Sequence, residues 1–126
     1  MSESEHQRNS IGIVGPCSAG KSTLIDNLRR HGYPVRHIAQ EHSYVPDMWK
    51  RLVNPIVLIY LDVSYNVSMQ RRALNMNSTE FDEQRNRLEN AIQNANLYLH
   101  TDLMTIQEVT DSVILFLKDA GIPLQS

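Results

Sequence analysis

The chain of 126 residues contains one cysteine, Cys17, so no disulfide can close within it, and a disulfide-stapled secreted scaffold is excluded. Neither sign of charge dominates. Twelve Lys and Arg against 14 Asp and Glu give a formal net charge of -2. The basic excess with which proteins grip a nucleic-acid backbone is therefore missing, and no nucleic-acid partner is expected. Long apolar runs are also absent. The longest, Ile56 to Leu61, is far too short to span a bilayer, and Met1 to Ser10 lacks the apolar stretch of a secretory signal. There is no internal repeat and no low-complexity linker. Hydrophobic residues at 41% and charged residues at 21% are ordinary globular usage, which excludes a fibrous or wholly disordered chain. The expectation is a cytoplasmic protein without a membrane partner, with a disordered polar tail over 1–9 and a single domain over 10–126.

What is present alternates between two periodicities. Ile11-Gly12-Ile13-Val14 is a short β-branched run that suits a strand buried on both faces. A Gly/Pro/Ser loop follows, then Lys21 to His31 carries Leu24, Ile25 and Leu28 on one face and stops at Gly32 and Pro34. Val35 to Ala39 reads as a second strand. Pro46 opens a short helix with Met48, Trp49 and Leu52, the first two read as core rather than as a stacking platform. Pro55 introduces the most strand-like stretch, Ile56 to Asp62, and a polar helical region runs from Ser64 to Asn75. A helix over Glu80 to Asn94 carries Phe81, Leu88, Ala91 and Ile92, with Thr79 and Asp82 as its capping pair. Leu97 to Leu99 reads as the last strand, and Thr105 with Glu108 forms a capping box before a final helix with Ile106, Val109, Val113, Phe116 and Leu117. Strands alternating with helices predict an α/β fold: a small, mainly parallel sheet in a three-layer sandwich.

Gly15-Pro16-Cys17-Ser18-Ala19-Gly20-Lys21-Ser22 fits the pattern G-x-x-x-x-G-K-[ST], with Thr23 directly behind it. Glycines let the backbone wrap an anion so that successive N–H groups point inward. The start of the following helix adds the positive end of its dipole. A lysine at this place reaches β and γ phosphate oxygens, and the serine hydroxyl can ligate Mg²⁺. The pattern is short enough to arise by chance, but its position between a buried strand and an amphipathic helix is the context that phosphate binding requires.

On these residues the chain resembles the P-loop NTPases with their Walker A loop, and more narrowly the small-molecule kinases among them. The stretch Pro55 to Val63 followed by Arg71-Arg72 is similar to one in nucleoside monophosphate, thymidylate and shikimate kinases, where a core strand leads to arginines at the base of a lid. The ending Leu97-Tyr98-Leu99-His100-Thr101-Asp102, with the helix after it, is similar to the last strand and helix of those kinases. The resemblance implies a P-loop fold, ATP and Mg²⁺ as ligands, and Gly15 to Thr23 as the nucleotide-binding segment. It also implies a carboxylate near the metal and phosphoryl transfer to a small molecule or nucleotide. Such kinases usually carry an extra strand, a substrate-binding insert and a mobile lid, for which too few residues separate Ala39 from Pro55.

Lys21 is the expected catalytic cation, and Ser22 with either Glu41 or Asp62 the expected metal ligands; both carboxylates follow strands, and ligands gather at the carboxyl ends of strands. Glu41 fits if the Val35–Ala39 strand lies next to Ile11–Val14. Arg71 and Arg72 read either as lid cations or as plain surface arginines. Arg85 and Arg87, beside Glu83 and Glu89, read as a solvated helix face, as do Lys50 and Arg51. The five histidines have no metal-ligand spacing, and His37 and His42, five apart, fall on opposite faces of a strand, which argues against zinc. Cys17 reads as a small filler, with a reactive thiol as the alternative.

Three functions follow. The first is an ATP-dependent, kinase-like phosphotransferase. The second is a nucleotide-binding module without chemistry, since the insert is missing. The third, a GTPase switch, ranks last because the chain has no N-K-x-D segment and no D-x-x-G segment after the loop. So short a chain leaves room for a homodimer that completes the site.

Overall fold

The computed structural model describes residues 10–72 and 76–124, without the side chain of Arg72. The expected tail over 1–9 lies outside the described residues. Four strands form one parallel sheet: β1 (Ile11–Val14), β2 (Val35–His37), β3 (Val57–Asp62) and β4 (Leu97–His100), in the order β2-β1-β3-β4. The helices are α1 (Lys21–Arg30), α2 (Met48–Leu52), α3 (Tyr65–Arg72), α4 (Ser78–Arg87), α5 (Glu89–Asn94) and α6 (Ile106–Asp119), with a 3₁₀ turn at Gln40–His42. The α/β class and the small parallel sheet flanked by helices are as the alternation predicts. Among the described residues no helix is long and apolar enough to cross a membrane.

Burial follows position in the sheet. Every residue of the central strands β1 and β3 is buried, as strands covered on both faces require, whereas β2 and β4 at the edges alternate or expose their ends. Two apolar clusters occupy the two faces. One gathers Ile11, Ile13, Ile59 and Leu61 with Leu24 and Leu28 of α1 and Val113 and Leu117 of α6. The other gathers Val14, Leu58 and Tyr60 with Trp49, Leu88 and Ala91. Truncating a fully buried leucine such as Leu28 or Leu117 to alanine costs about 2–5 kcal/mol. The Asn27 amide donates to Thr110 Oγ1 at 3.0 Å and fixes α1 against α6.

The strand read over Val35 to Ala39 ends at His37, and the segment read as one helix over 80–94 departs furthest from expectation. The helix read over 80–94 is two helices that meet at Leu88, and it starts earlier, at Ser78. Asn77, not Thr79, caps it: Asn77 Oδ1 accepts from Glu80 N–H at 2.8 Å, and Glu80 answers through the Asn77 N–H. The bend lets the segment serve both cores, because Phe81 packs into the first cluster while Leu88 and Ala91 pack into the second. The Thr105–Glu108 capping box is formed as expected at the start of α6. Its Ile106, however, points away from the core and is 58% exposed.

The topology creates the site. From β1 the chain runs outward to β2 on one side, and from β3 it runs outward to β4 on the other. The connections that leave the carboxyl ends of β1 and β3 therefore diverge. They leave a crevice at the switch point, where open parallel sheets hold ligands.

Candidate functional site at the carboxyl edge of the sheet

A cavity of about 780 Å³ opens at this edge. Its floor is the loop from Cys17 to Gly20 and the first turn of α1. His37, Glu41 and His42 form one wall, and Arg71, Thr101, Met104, Ile106 and Val109 form the other. The segment 15–23 thus bends between β1 and α1 as the glycine pattern requires. Gly15 has φ +153°, and a Cβ there would lie 2.0 Å from the Leu61 carbonyl oxygen. Only glycine lets the loop start so close to β3. Gly20 has φ +95° in open space, so conformation alone constrains it.

The start of α1 is bare. No side chain caps it and no acidic residue sits in its first turn. Helix geometry leaves the N–H groups of Lys21, Ser22 and Thr23 without carbonyl partners in the helix, and the dipole adds positive potential at the same place. Lys21 is buried. Its ammonium donates to the carbonyl oxygens of Gly15 and Pro16 and to Glu41 Oε2, the last at 2.5 Å. The register Ile11↔Val35 puts β2 directly beside β1, which is the condition under which Glu41 was expected to reach the loop. Two buried oxygens nearby, Glu41 Oε1 and Ser18 Oγ, have no hydrogen-bond donor among the described residues. A buried acceptor without a donor carries a desolvation penalty that a bound cation, donor or water removes.

The loop is braced from outside by residues far away in sequence. Gln84 of α4 accepts from the Cys17 N–H at 3.2 Å and donates to Cys17 Sγ at 3.4 Å. Ser68 Oγ donates to the Cys17 carbonyl at 3.2 Å. Arg71 donates to the Ser18 carbonyl at 3.2 Å, to Thr101 Oγ1 at 3.0 Å and to the Thr101 carbonyl at 2.6 Å. Arg71 therefore both lines the cavity and ties the loop to the end of β4. The side chain of Arg72, its partner in the sequence reading, lies outside the described residues.

The wall that carries Glu41 is fixed in turn by Gln40 and Arg87. Gln40, fully buried, accepts from Trp49 N–H at 2.8 Å and donates to the carbonyls of Val45 and Arg87. Arg87 donates to the Glu41 carbonyl at 3.3 Å and stacks over the Tyr44 ring, 4.4 Å from its centroid. Trp49 is core, as read from the sequence, with its indole N–H on Asn90 Oδ1. His37 faces the cavity; partial burial first, and the Lys21 charge second, hold its imidazole pKa below the ordinary value.

The two candidate carboxylates part company here. Asp62 does not line the cavity. It is buried beneath Arg85 and Tyr98: Arg85 Nη1 lies 2.5 Å from Oδ1, the Val63 N–H donates to the same oxygen at 2.9 Å, and the Tyr98 hydroxyl donates to Oδ2. Both carboxylate oxygens are thus engaged by the protein itself. Burial first, then the hydrogen bond to Asp62, pushes the Tyr98 hydroxyl pKa up to about 12. This corrects the reading of Arg85 as a solvating residue: it neutralises a buried carboxylate. Arg87 keeps its expected i,i+4 pair with Glu83 only loosely, at 3.9 Å, and its main contacts are with the 41–44 segment.

Sequence reasoning passed over Gln84, Gln40, Ser68 and Thr101. For Gln84 a signal existed, since a polar residue interrupts the apolar stripe at Phe81, Gln84 and Leu88. The chain matches no protein-family model, and no curated protein matches it.

Proposed function

We propose that the chain binds a nucleoside triphosphate, with ATP the expected one, together with Mg²⁺ over segment 15–23, and that it acts as a kinase-like phosphotransferase on a small acceptor. The observation that carries this reading is the arrangement of Lys21. A buried ammonium is held by the loop's own carbonyls and by a carboxylate from the turn that follows the neighbouring strand, at an uncapped helix start that faces a cavity. The P-loop resemblance seen in the sequence fits this arrangement, as does the parallel sheet.

In this reading the free N–H groups at the start of α1 hold the phosphates, and Lys21 exchanges its carbonyl partners for phosphate oxygens. Its charge then opposes the negative charge that develops during transfer. Ser22 and Glu41 would hold Mg²⁺, a hard cation that takes oxygen ligands, and the unpartnered Glu41 Oε1 suits that role better than Asp62, whose oxygens are engaged. When bound, Mg²⁺ would neutralise phosphate charge. Arg71 supplies positive charge on the opposite wall, and Met104, Ile106 and Val109 offer an apolar surface for a planar ring.

A second reading, a nucleotide-binding module without chemistry, is favoured by one observation. The segment between β2 and β3 is folded onto Gln40 and Trp49, and no acceptor-binding insert stands among its described residues. Nucleotide turnover over a broad panel of small acceptors and nucleotides separates the two. Acceptor-dependent ADP release that vanishes in Lys21→Ala supports the transferase. Tight ATP binding with no turnover on any acceptor leaves the module.

A further inference from the structure

Beside the Cys17–Gly20 loop stands a set of donors with different chemistry. Cys17 Sγ lies 4.0 Å from His42 Nε2, and His42 Nε2 lies 3.9 Å from Glu41 Oε2. One ligand atom from each of Cys17, Glu41 and His42 falls within 4.8 Å of the other two. A thiol, an imidazole and a carboxylate form a donor set that selects a borderline transition metal over Mg²⁺, which takes oxygen ligands.

We propose that Cys17, Glu41 and His42 form a three-ligand site for Zn²⁺ or a chemically similar divalent ion, with a fourth position open to the cavity. Expecting no zinc from the histidine spacing assumed that His42 lies on a strand. It is instead the last residue of a 3₁₀ turn, which brings it back toward the loop.

Three observations support the site independently of the distances. Glu41 is buried; its Oε2, the oxygen 3.9 Å from His42, also holds the Lys21 ammonium, while its Oε1 has no donor among the described residues, so the carboxylate keeps acceptor capacity for a cation. The Cys17 sulfur is oriented by a supporting partner, since Gln84 grips both its backbone N–H and its Sγ. The Glu41 backbone is anchored by Arg87 and the turn by Gln40, whereas the His42 side chain is 60% exposed. Metal–ligand distances of about 2.0–2.3 Å bring the donor atoms somewhat closer together than they stand, and a rotation of the exposed His42 side chain on binding would supply that contraction. Cys17 binds as the thiolate, its proton leaving to solvent. If the proposed nucleotide reading also holds, zinc and Mg²⁺ compete for Glu41, and occupancy by zinc weakens nucleotide binding.

The test uses metal alone, without nucleotide, so its outcome is separate from that reading. Co²⁺ is titrated into the reduced protein and followed by absorption, then displaced with Zn²⁺ to obtain the zinc affinity. One equivalent of Co²⁺ giving a thiolate-to-metal charge-transfer band is expected. Cys17→Ser should abolish the band, and Cys17→Ser and His42→Ala should each lower zinc affinity by on the order of tenfold or more. His37→Ala, which removes the other cavity histidine, should leave it within about twofold. Circular dichroism of each variant checks that it is folded. No charge-transfer band, or a zinc affinity unchanged in both Cys17→Ser and His42→Ala, overturns the site.

Discussion

Replacing Lys21 with methionine keeps the aliphatic stem and removes the ammonium. The Glu41 carboxylate, only 4% exposed at the side chain, then loses the cation on Oε2 and still has no donor on Oε1. The exposed His42 imidazole at 3.9 Å is too far for a hydrogen bond. Removing one partner of a buried pair costs about 3–5 kcal/mol, because the remaining charge is left uncompensated. We expect about 3 kcal/mol for Lys21→Met. The reverse change, Glu41→Gln, should cost less, about 1–2 kcal/mol, since Lys21 keeps the carbonyls of Gly15 and Pro16 and the new amide oxygen still accepts. The double variant removes both charges and should lie close to the milder single variant, which gives a coupling of about 3 kcal/mol in a double-mutant cycle. Urea unfolding at pH 7 reads these values. With a slope of about 2 kcal/mol per molar, Lys21→Met should lower the midpoint by about 1.5 M. A midpoint unchanged or raised by Lys21→Met, or a larger loss from Glu41→Gln than from Lys21→Met, would refute the buried pair.

Other expectations follow from the same contacts. Gly15→Ala drives a Cβ into the Leu61 carbonyl and should cost about 3 kcal/mol or more, whereas Gly20→Ala meets open space and should cost about 1–2 kcal/mol; thermal unfolding in the opposite order would contradict the loop geometry. Arg85→Met strands the buried Asp62 and should cost about 3 kcal/mol, against about 1 kcal/mol for Tyr98→Phe; equal small effects in urea unfolding would mean that Asp62 is not buried as described. In acid, burial tends to raise the Asp102 carboxyl pKa, but hydrogen bonds from Ser64 hold it below its ordinary 3.8, and the Thr105 N–H holds Glu108 below its ordinary 4.5. Their stabilisation is complete above those ordinary values and is lost as pH falls through the lowered folded ones. The urea midpoint should therefore drop below pH 4 less steeply in the Asp102→Asn/Glu108→Gln variant, and an identical drop would count against it.

How far the sequence could be read depended on the range of the interactions involved. The strands, α1, α6 and its capping box rest on local periodicity and on side chains within a few residues of one another. The bend of the loop is legible for the same reason, since the glycines that allow it stand within a few residues of one another. That Glu41 lines the cavity and Asp62 does not rests on two long-range facts: the pairing of β2 with β1, and the reach of Arg85 across to the end of β3. An arginine on a polar helix face looks the same in sequence whether it meets solvent or a buried aspartate. The bend at Leu88 was hidden because Phe81 and Leu88 satisfy one helical stripe on paper while belonging to different sides of the sheet. His42 was assigned to the wrong geometry for a similar reason: strand periodicity was extended past Ile38, where the chain turns into the cavity wall.

The central claim is that the Lys21 loop is a nucleoside triphosphate site. Calorimetric titration of ATP and ADP, with and without Mg²⁺, into the wild type and folded Lys21→Ala tests it most directly. Micromolar binding that requires Mg²⁺ and is lost in the variant is expected. No binding at millimolar nucleotide, or equal binding by Lys21→Ala, would contradict it.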